Sequence, residues 1–211
     1  MKKIPFFSNI GDGTYCYLAV LKMILKYYCP QNDYSWENLI ELTGKKEGLW
    51  TWPQYSYISM KNLGFDVKII SSFDYDKFAD NGYKYLEDTY GKEVAEGQRK
   101  HSDLDDAIST VKKIKKILIQ ETRIPSVQDI IQLLSKGYLV ECGINSYMLE
   151  SKEGYAEHSI LIFHSEKNIF TIHDPGFPPK ESRKVPTELF EKAWAYPNAE
   201  SKNITAFKHI K

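Results

Sequence analysis

Three side chains far apart in the chain, Cys16, His158 and Asp174, are of the types that together make a thiol nucleophile. A sulfur nucleophile needs a base within hydrogen-bond reach, and the base needs an acceptor that fixes its tautomer and steadies the imidazolium. Cys16 follows the loop-and-cap run Gly11-Asp12-Gly13-Thr14 and precedes Leu18, Leu21, Ile24 and Leu25, with Ala19 and Met23 beside them. That spacing predicts a mostly buried helix with the cysteine in its first turn. There the unpaired backbone N–H groups and the positive end of the helix dipole favour a thiolate, and the same N–H groups can hydrogen-bond an oxyanion formed at the sulfur.

The other two side chains need a strand pair to bring them together. His158-Ser159-Ile160-Leu161-Ile162-Phe163-His164 and Ile169-Phe170-Thr171-Ile172-His173-Asp174, with polar Ser165 to Asn168 between them, predict a β-hairpin that Pro175-Gly176 stops. His158 and Asp174 share a side of that ribbon only if paired positions have an even sum, and stand directly opposite if the sum is 332. An even sum requires an odd loop or a bulge, so one of the two is predicted here. Singly, a cysteine is most often a buried hydrophobe and a histidine a satisfied core or surface residue. The Cys helix and the His/Asp hairpin in one chain are the stronger signal.

Around these elements the chain predicts a single domain of 211 residues. Lys plus Arg (28) equal Asp plus Glu (28), so no global field favours nucleic acid or an anionic membrane, and neither is an expected partner. Three cysteines without a Cys-x-x-Cys suggest no disulfide framework and no metal site, and no cofactor is expected. No signal-peptide pattern and no run of about 18 apolar residues is read, which suggests a reduced, cytoplasmic setting. A Ser35-capped helix, a helix over Tyr57–Leu63 closed by Gly64, and a strand over Phe65–Ile70 precede a change of character. Residues 73–122 are charged and Tyr-rich and read as a helical insertion, a lobe or lid, ending in the basic run Val111 to Ile119. Lys112 to Lys116 there could attract an acidic carrier protein, although a solvated helix face is the commoner fate. Ser126 and Asp129 predict a capped helix to Leu134, Tyr138–Ile144 a strand with Cys142 as inert core, Thr187 a capped helix to Trp194, and Ile204–Phe207 a final edge strand. Trp50, Trp52, Tyr55 and Trp194 are the aromatic candidates for lining an acyl or aryl site, with plain core packing the alternative for each.

The run Gly13-Thr14-Tyr15-Cys16-Tyr17-Leu18-Ala19, Glu47-Gly48, Leu63-Gly64-Phe65, the step Leu133 to Val140, and His158 to Ile162 leading to His173-Asp174-Pro175-Gly176 resemble the peptidase C39-like branch of the papain superfamily. The resemblance implies an α+β, papain-like cysteine peptidase fold: a helical N-terminal part carrying the Cys helix, then an antiparallel sheet. It also implies Cys16 as nucleophile, His158 as general base and acid, and Asp174 as orienter. In that family an amide side chain before the cysteine helps form the oxyanion hole with the cysteine N–H; the matching stretch here offers Asn9 in place of Gln, and Tyr17 stands where many relatives have Gly. The chemistry implied is acyl transfer through a Cys16 thioester. In size the chain is also similar to papain-like amide synthetases, which pass a carrier-bound acyl thioester to an amine acceptor. Hydrolysis of a peptide or amide bond is the first alternative, and a non-catalytic papain-fold binding module the second.

Overall fold

The computed structural model describes residues 3–114 and 119–210 of the chain. Helix α1, Cys16–Tyr28, starts at the cysteine as its spacing predicts, with Tyr17 to Leu21 and Met23 to Leu25 buried. Large apolar side chains contribute about 1.5–3 kcal/mol each on leaving water, so this helix is held by its packing. Its N-cap residue, Tyr15, supplies no side-chain cap, so the first-turn N–H groups are not taken by one. Ser35 and Asn38 form a capping box on α2, Trp36–Thr43. Then come α3, Gln54–Asn62, and, after Gly64 at φ +85°, β1, Phe65–Ser71. The segment after β1 is helical as expected: α4, Tyr75–Asn81; α5, Tyr83–Tyr90; α6, Lys92–His101; and α7, Leu104–Ile114. Phe78, Leu86, Ala95 and Val111 centre a small core of its own. Lys112 and Lys113 end α7, whereas Lys115 and Lys116 of the basic run lie outside the described residues.

Strand β2, Gln120–Glu121, runs parallel to β1. The capping box of Ser126 and Asp129 opens α8, Val127–Ser135. There follow β3, Leu139–Asn145; the single-turn α9, Ser146–Leu149; the hairpin of β4, Glu157–Glu166, and β5, Ile169–Asp174; β6, Lys180–Pro186; α10, Thr187–Trp194; and β7, Asn203–His209. The sheet order is β2-β1-β7-β3-β4-β5-β6, antiparallel apart from β1/β2. One core joins α1, α2 and α3 to Val67, Leu161 and Phe207; the other joins α8 and α10 to Val140, Ile160, Ile172 and Ala206. The result is an α+β fold.

Two expectations are corrected, and one strand is additional. The last strand is central, between β1 and β3, because Ile204 to Phe207 are all buried, so both faces of β7 are covered. Helix α10 has Pro186 as N-cap and no side-chain cap; Thr187 is already helical, its N–H bonded to Asn168 O at 2.9 Å. Strand β6 has no counterpart in the sequence reading, since its exposed, charged residues carry the pattern of an edge strand and not of a core strand.

The hairpin turn is the two-residue Lys167-Asn168, both at positive φ, and next to it the paired positions sum to an odd number, as in Glu166↔Ile169. A register shift between Ile162 and His164 supplies the predicted bulge, and beyond it Ile162 faces Ile172 and Leu161 faces His173. The sum is now even but is 334, not 332. His158 and Asp174 therefore share a side and meet diagonally instead of standing directly opposite.

Candidate active site

The diagonal register brings His158 Nε2 to 2.8 Å from Asp174 Oδ1, both side chains about nine-tenths buried. The other ring nitrogen is left for the Cys16 thiol, with which the imidazole interacts across the start of α1. Burial works against a charged ring. The hydrogen bonds to Asp174 and Cys16, with their charges, outweigh it and push His158 up to about 10. Asp174 is likewise penalised by burial, but the His158 contact, the Gly176 N–H and Arg183 bring its carboxyl down to about 2. Arg183 Nη1 donates to Asp174 Oδ2 at 3.0 Å and to Glu150 Oε1 at 2.5 Å, while Lys180 also pairs with Glu150 at 2.7 Å. Gly176 gives the pair room: a Cβ there would lie 3.0 Å from Asp174 Oδ1 and 3.3 Å from His158 Nε2.

Asn9 is buried beside this assembly. Its Nδ2 donates to Gly13 O at 2.6 Å, its Oδ1 accepts from the N–H groups of Ile10 and Tyr15, and its backbone N–H bonds Pro175 O at 2.8 Å. The side chain thus folds the loop entering α1, and that backbone bond ties it to the loop leaving Asp174. Lys45, which the sequence reading does not single out, is 6% exposed. Its Nζ donates to Thr14 Oγ1 and Leu49 O at 2.7 Å each and lies over the Tyr15 ring. Burial lowers its pKa, and its charge acts on Cys16. Only Thr14, in the Gly-Asp-Gly-Thr loop, hints at such a contact in the sequence.

Cys16 opens into a cavity of about 200 Å³ roofed by Trp50, Trp52, Phe73 and Tyr75 and floored by Glu141, Gly143, Glu157, Ser159 and Thr205. The helical segment after β1 contributes to the roof: Trp50 stacks on His101 at 4.8 Å and Trp52 on Phe78 at 4.8 Å. The other two aromatic candidates do not line it. Tyr55 is 49% exposed on α3 and packs over Gly44, because the side chain leaves the helix away from the sheet. Trp194 is 1% exposed, tilted against Phe190, with Nε1 donating to Asn203 O at 2.9 Å; it reaches only a smaller adjoining cavity of about 120 Å³. Cys142 is inert core as expected, and burial raises the thiols of both Cys142 and Cys29. His173 is structural: Nε2 donates to Ile4 O at 3.2 Å, Nδ1 accepts from Ser182 N–H at 3.1 Å, and burial lowers its pKa.

Among the described residues no helix is long and apolar enough to cross a membrane. No curated protein matches this chain. Solved structures that share its fold include two peptidase domains. One is the peptidase domain of Streptococcus ComA, a bi-functional ABC transporter involved in a quorum-sensing pathway: 15% identity, TM-score 0.53, covering 99% of this chain and 100% of that one. The other is described as a C39-like peptidase from Bacillus anthracis, with 15% identity and TM-score 0.52, covering 99% of this chain and 96% of that one. The family model of the Peptidase_C39 like family matches residues 1–201, the 73–122 segment included, and the chain therefore belongs to that family and carries its papain-like fold.

Proposed function

We propose that the chain is a cysteine-nucleophile enzyme that works through an acyl-thioester on Cys16 and passes the acyl group to an amine. The observation that carries the acyl-enzyme step is the line from Cys16 through His158 to Asp174, with Nε2 engaged by the carboxylate at 2.8 Å. His158, already carrying the thiol proton as an imidazolium, leaves Sγ a thiolate that attacks the acyl carbon. The oxyanion falls at the start of α1, where the Cys16 N–H has no intrahelical partner; Asn9 has a second amide hydrogen to offer beside it. His158 then protonates the leaving group, which is an amine from an amide donor or a thiol from a carrier-bound thioester. In the second half His158 removes a proton from the acceptor as it attacks the thioester, giving an amide from an amine or an acid from water.

Transfer to an amine is supported by the acid-floored, aromatic-walled cavity beside the sulfur. Hydrolysis of a peptide bond is the second reading, supported by membership of the C39-like family and by the likeness to a transporter's peptidase domain. The test is incubation with an N-acetylcysteamine acyl thioester and a panel of amines, read by mass spectrometry. An acyl adduct on Cys16 that yields amide in proportion to added amine is expected. Acid alone, unaffected by any amine, would leave hydrolysis as the function. Absence of the adduct, with iodoacetamide labelling Cys16 no faster than a free thiol, would leave a non-catalytic binding module.

A further inference from the structure

Glu141 of β3 and Glu157 of β4 line the cavity into which Cys16 opens, and neither belongs to the proton relay. Glu141 is 4% exposed; its carboxylate accepts from Ser159 Oγ at 2.8 Å and from the Thr205 hydroxyl. Glu157 accepts from the Tyr155 hydroxyl. Hydroxyls satisfy lone pairs without cancelling a charge, and no Lys, Arg or His is among the described residues lining this cavity. A second observation points the same way. Thr51 Oγ1 and Ser201 Oγ, both shut off from solvent and able to accept, belong to residues lining the same cavity and have no hydrogen-bond partner. Gly143 keeps the floor open, since a Cβ there would stand 2.8 Å from Glu157 Oε1.

A buried acid, a half-buried one, unused hydroxyls and aromatic walls form a combination suited to an organic cation with N–H donors. We propose that this cavity binds an alkylammonium group of the substrate, with Glu141 and Glu157 as its counter-charges and Trp50 and Trp52 as its walls. A 150 Å³ apolar cavity holds benzene, so about 200 Å³ accommodates a chain of roughly six to eight non-hydrogen atoms. The part this site plays in turnover rests on the acyl-transfer reading: the charged end is anchored on the acids while the reacting group lies at the sulfur. The ammonium belongs either to the amine acceptor or to a lysine-like side chain of the acyl donor.

Calorimetric titration of the full chain carrying Cys16→Ala, at pH 8, separates these outcomes without any chemistry at the sulfur. The probes are 1,4-diaminobutane and N-acetyl-lysine amide, each beside its uncharged counterpart, 1,4-butanediol and N-acetyl-norleucine amide. The charged probes are expected to bind at least about tenfold more tightly than the uncharged ones. Glu141→Gln and Glu157→Gln, each added to Cys16→Ala, are expected to weaken that binding roughly tenfold to a hundredfold, and Glu153→Gln on the surface not at all. Tighter diaminobutane assigns the cation to the acceptor, and tighter lysine amide assigns it to the donor. Equal affinity for charged and uncharged probes overturns the site, as does binding unchanged by both Gln variants, or sodium chloride displacing the amines at matched concentration. If a Gln variant does not fold, the charged-against-uncharged comparison on Cys16→Ala decides alone. Retained binding without a Cys16 acyl adduct in the native enzyme would sink the acyl-transfer reading and leave this site standing.

Discussion

Replacing Glu141 by Gln should make the protein more stable at neutral and alkaline pH. Burial first, and the charge of Glu157 second, push the Glu141 carboxyl from 4.5 up to about 7, against the opposing hydroxyls of Ser159 and Thr205. For an acid raised in this way, the folded chain keeps a proton between those two values that the unfolded chain has released. Stability from this group is therefore complete below pH 4.5 and falls as pH rises to about 7, after which the deficit is constant. At 1.36 kcal/mol per pH unit, that interval amounts to about 3 kcal/mol. Gln keeps the shape and the acceptor oxygen without the charge. Urea unfolding of both chains at pH 4.5 and pH 8 isolates Glu141, because every other titrating group is common to the two. The variant should match the native chain at pH 4.5 and exceed it by about 3 kcal/mol at pH 8. With slopes of roughly 1–3 kcal/mol per molar urea, this is a midpoint gap of about 1–3 M. A gap that stays the same at both pH values, or a variant less stable at pH 8, would mean that Glu141 carries no buried uncompensated charge.

Removing the base should slow the sulfur. A positively charged ring beside a thiol favours the thiolate, so His158→Ala should lower the rate of iodoacetamide labelling of Cys16 at pH 6 to 8 by about tenfold or more, and an unchanged rate would separate the two residues. Gly176→Ala drives a methyl to 3.0 Å from Asp174 Oδ1; turnover should fall by roughly tenfold with KM for the acyl thioester much less affected, and intact kcat would show that the loop yields freely. Arg183→Met removes a charged donor from Asp174, whose side chain is 10% exposed; it should destabilise the fold by about 1.5–3 kcal/mol in urea and raise the acidic limb of the pH–rate profile, since Arg183 helps to lower the Asp174 carboxyl.

What could be read in the residues was local periodicity and its parity. Leu18, Leu21, Ile24 and Leu25 mark α1 because one helix face repeats every 3.6 residues, and they place Cys16 at its start without further information. The bulge between Ile162 and His164 follows from parity alone, because His158 and Asp174 can share a side in no other way across a two-residue turn. Which even register forms depends on where the bulge falls, and parity does not contain that. Aromatic type carries no direction: Trp50 and Trp52 reach the cavity, Trp194 the core, and Tyr55 the surface. Lys45 and Arg183 act through partners on other elements, and Glu141 stands as one acid in an apolar strand whose neighbour Ser159 comes 18 residues later. Such contacts exist only once the sheet has assembled.

The sheet divides its duties at the hairpin. Along β4, His158 faces the relay, while the adjacent positions Glu157 and Ser159 border the cavity floor, so one strand serves both the proton transfer and the pocket. Strand alternation makes this economical: two consecutive residues point to opposite sides, and at the strand start one meets Asp174 while the next meets Glu141. The relay charges are matched, with Asp174 held by His158 and Arg183. The floor charges are not. A fold that compensates the charges in its relay but gives Glu141, a few residues away, only hydroxyl partners is carrying a cost that packing does not explain, and an apolar residue of similar volume would remove it. Such a cost persists where a ligand offsets it in use, which is the role proposed above for the acid floor.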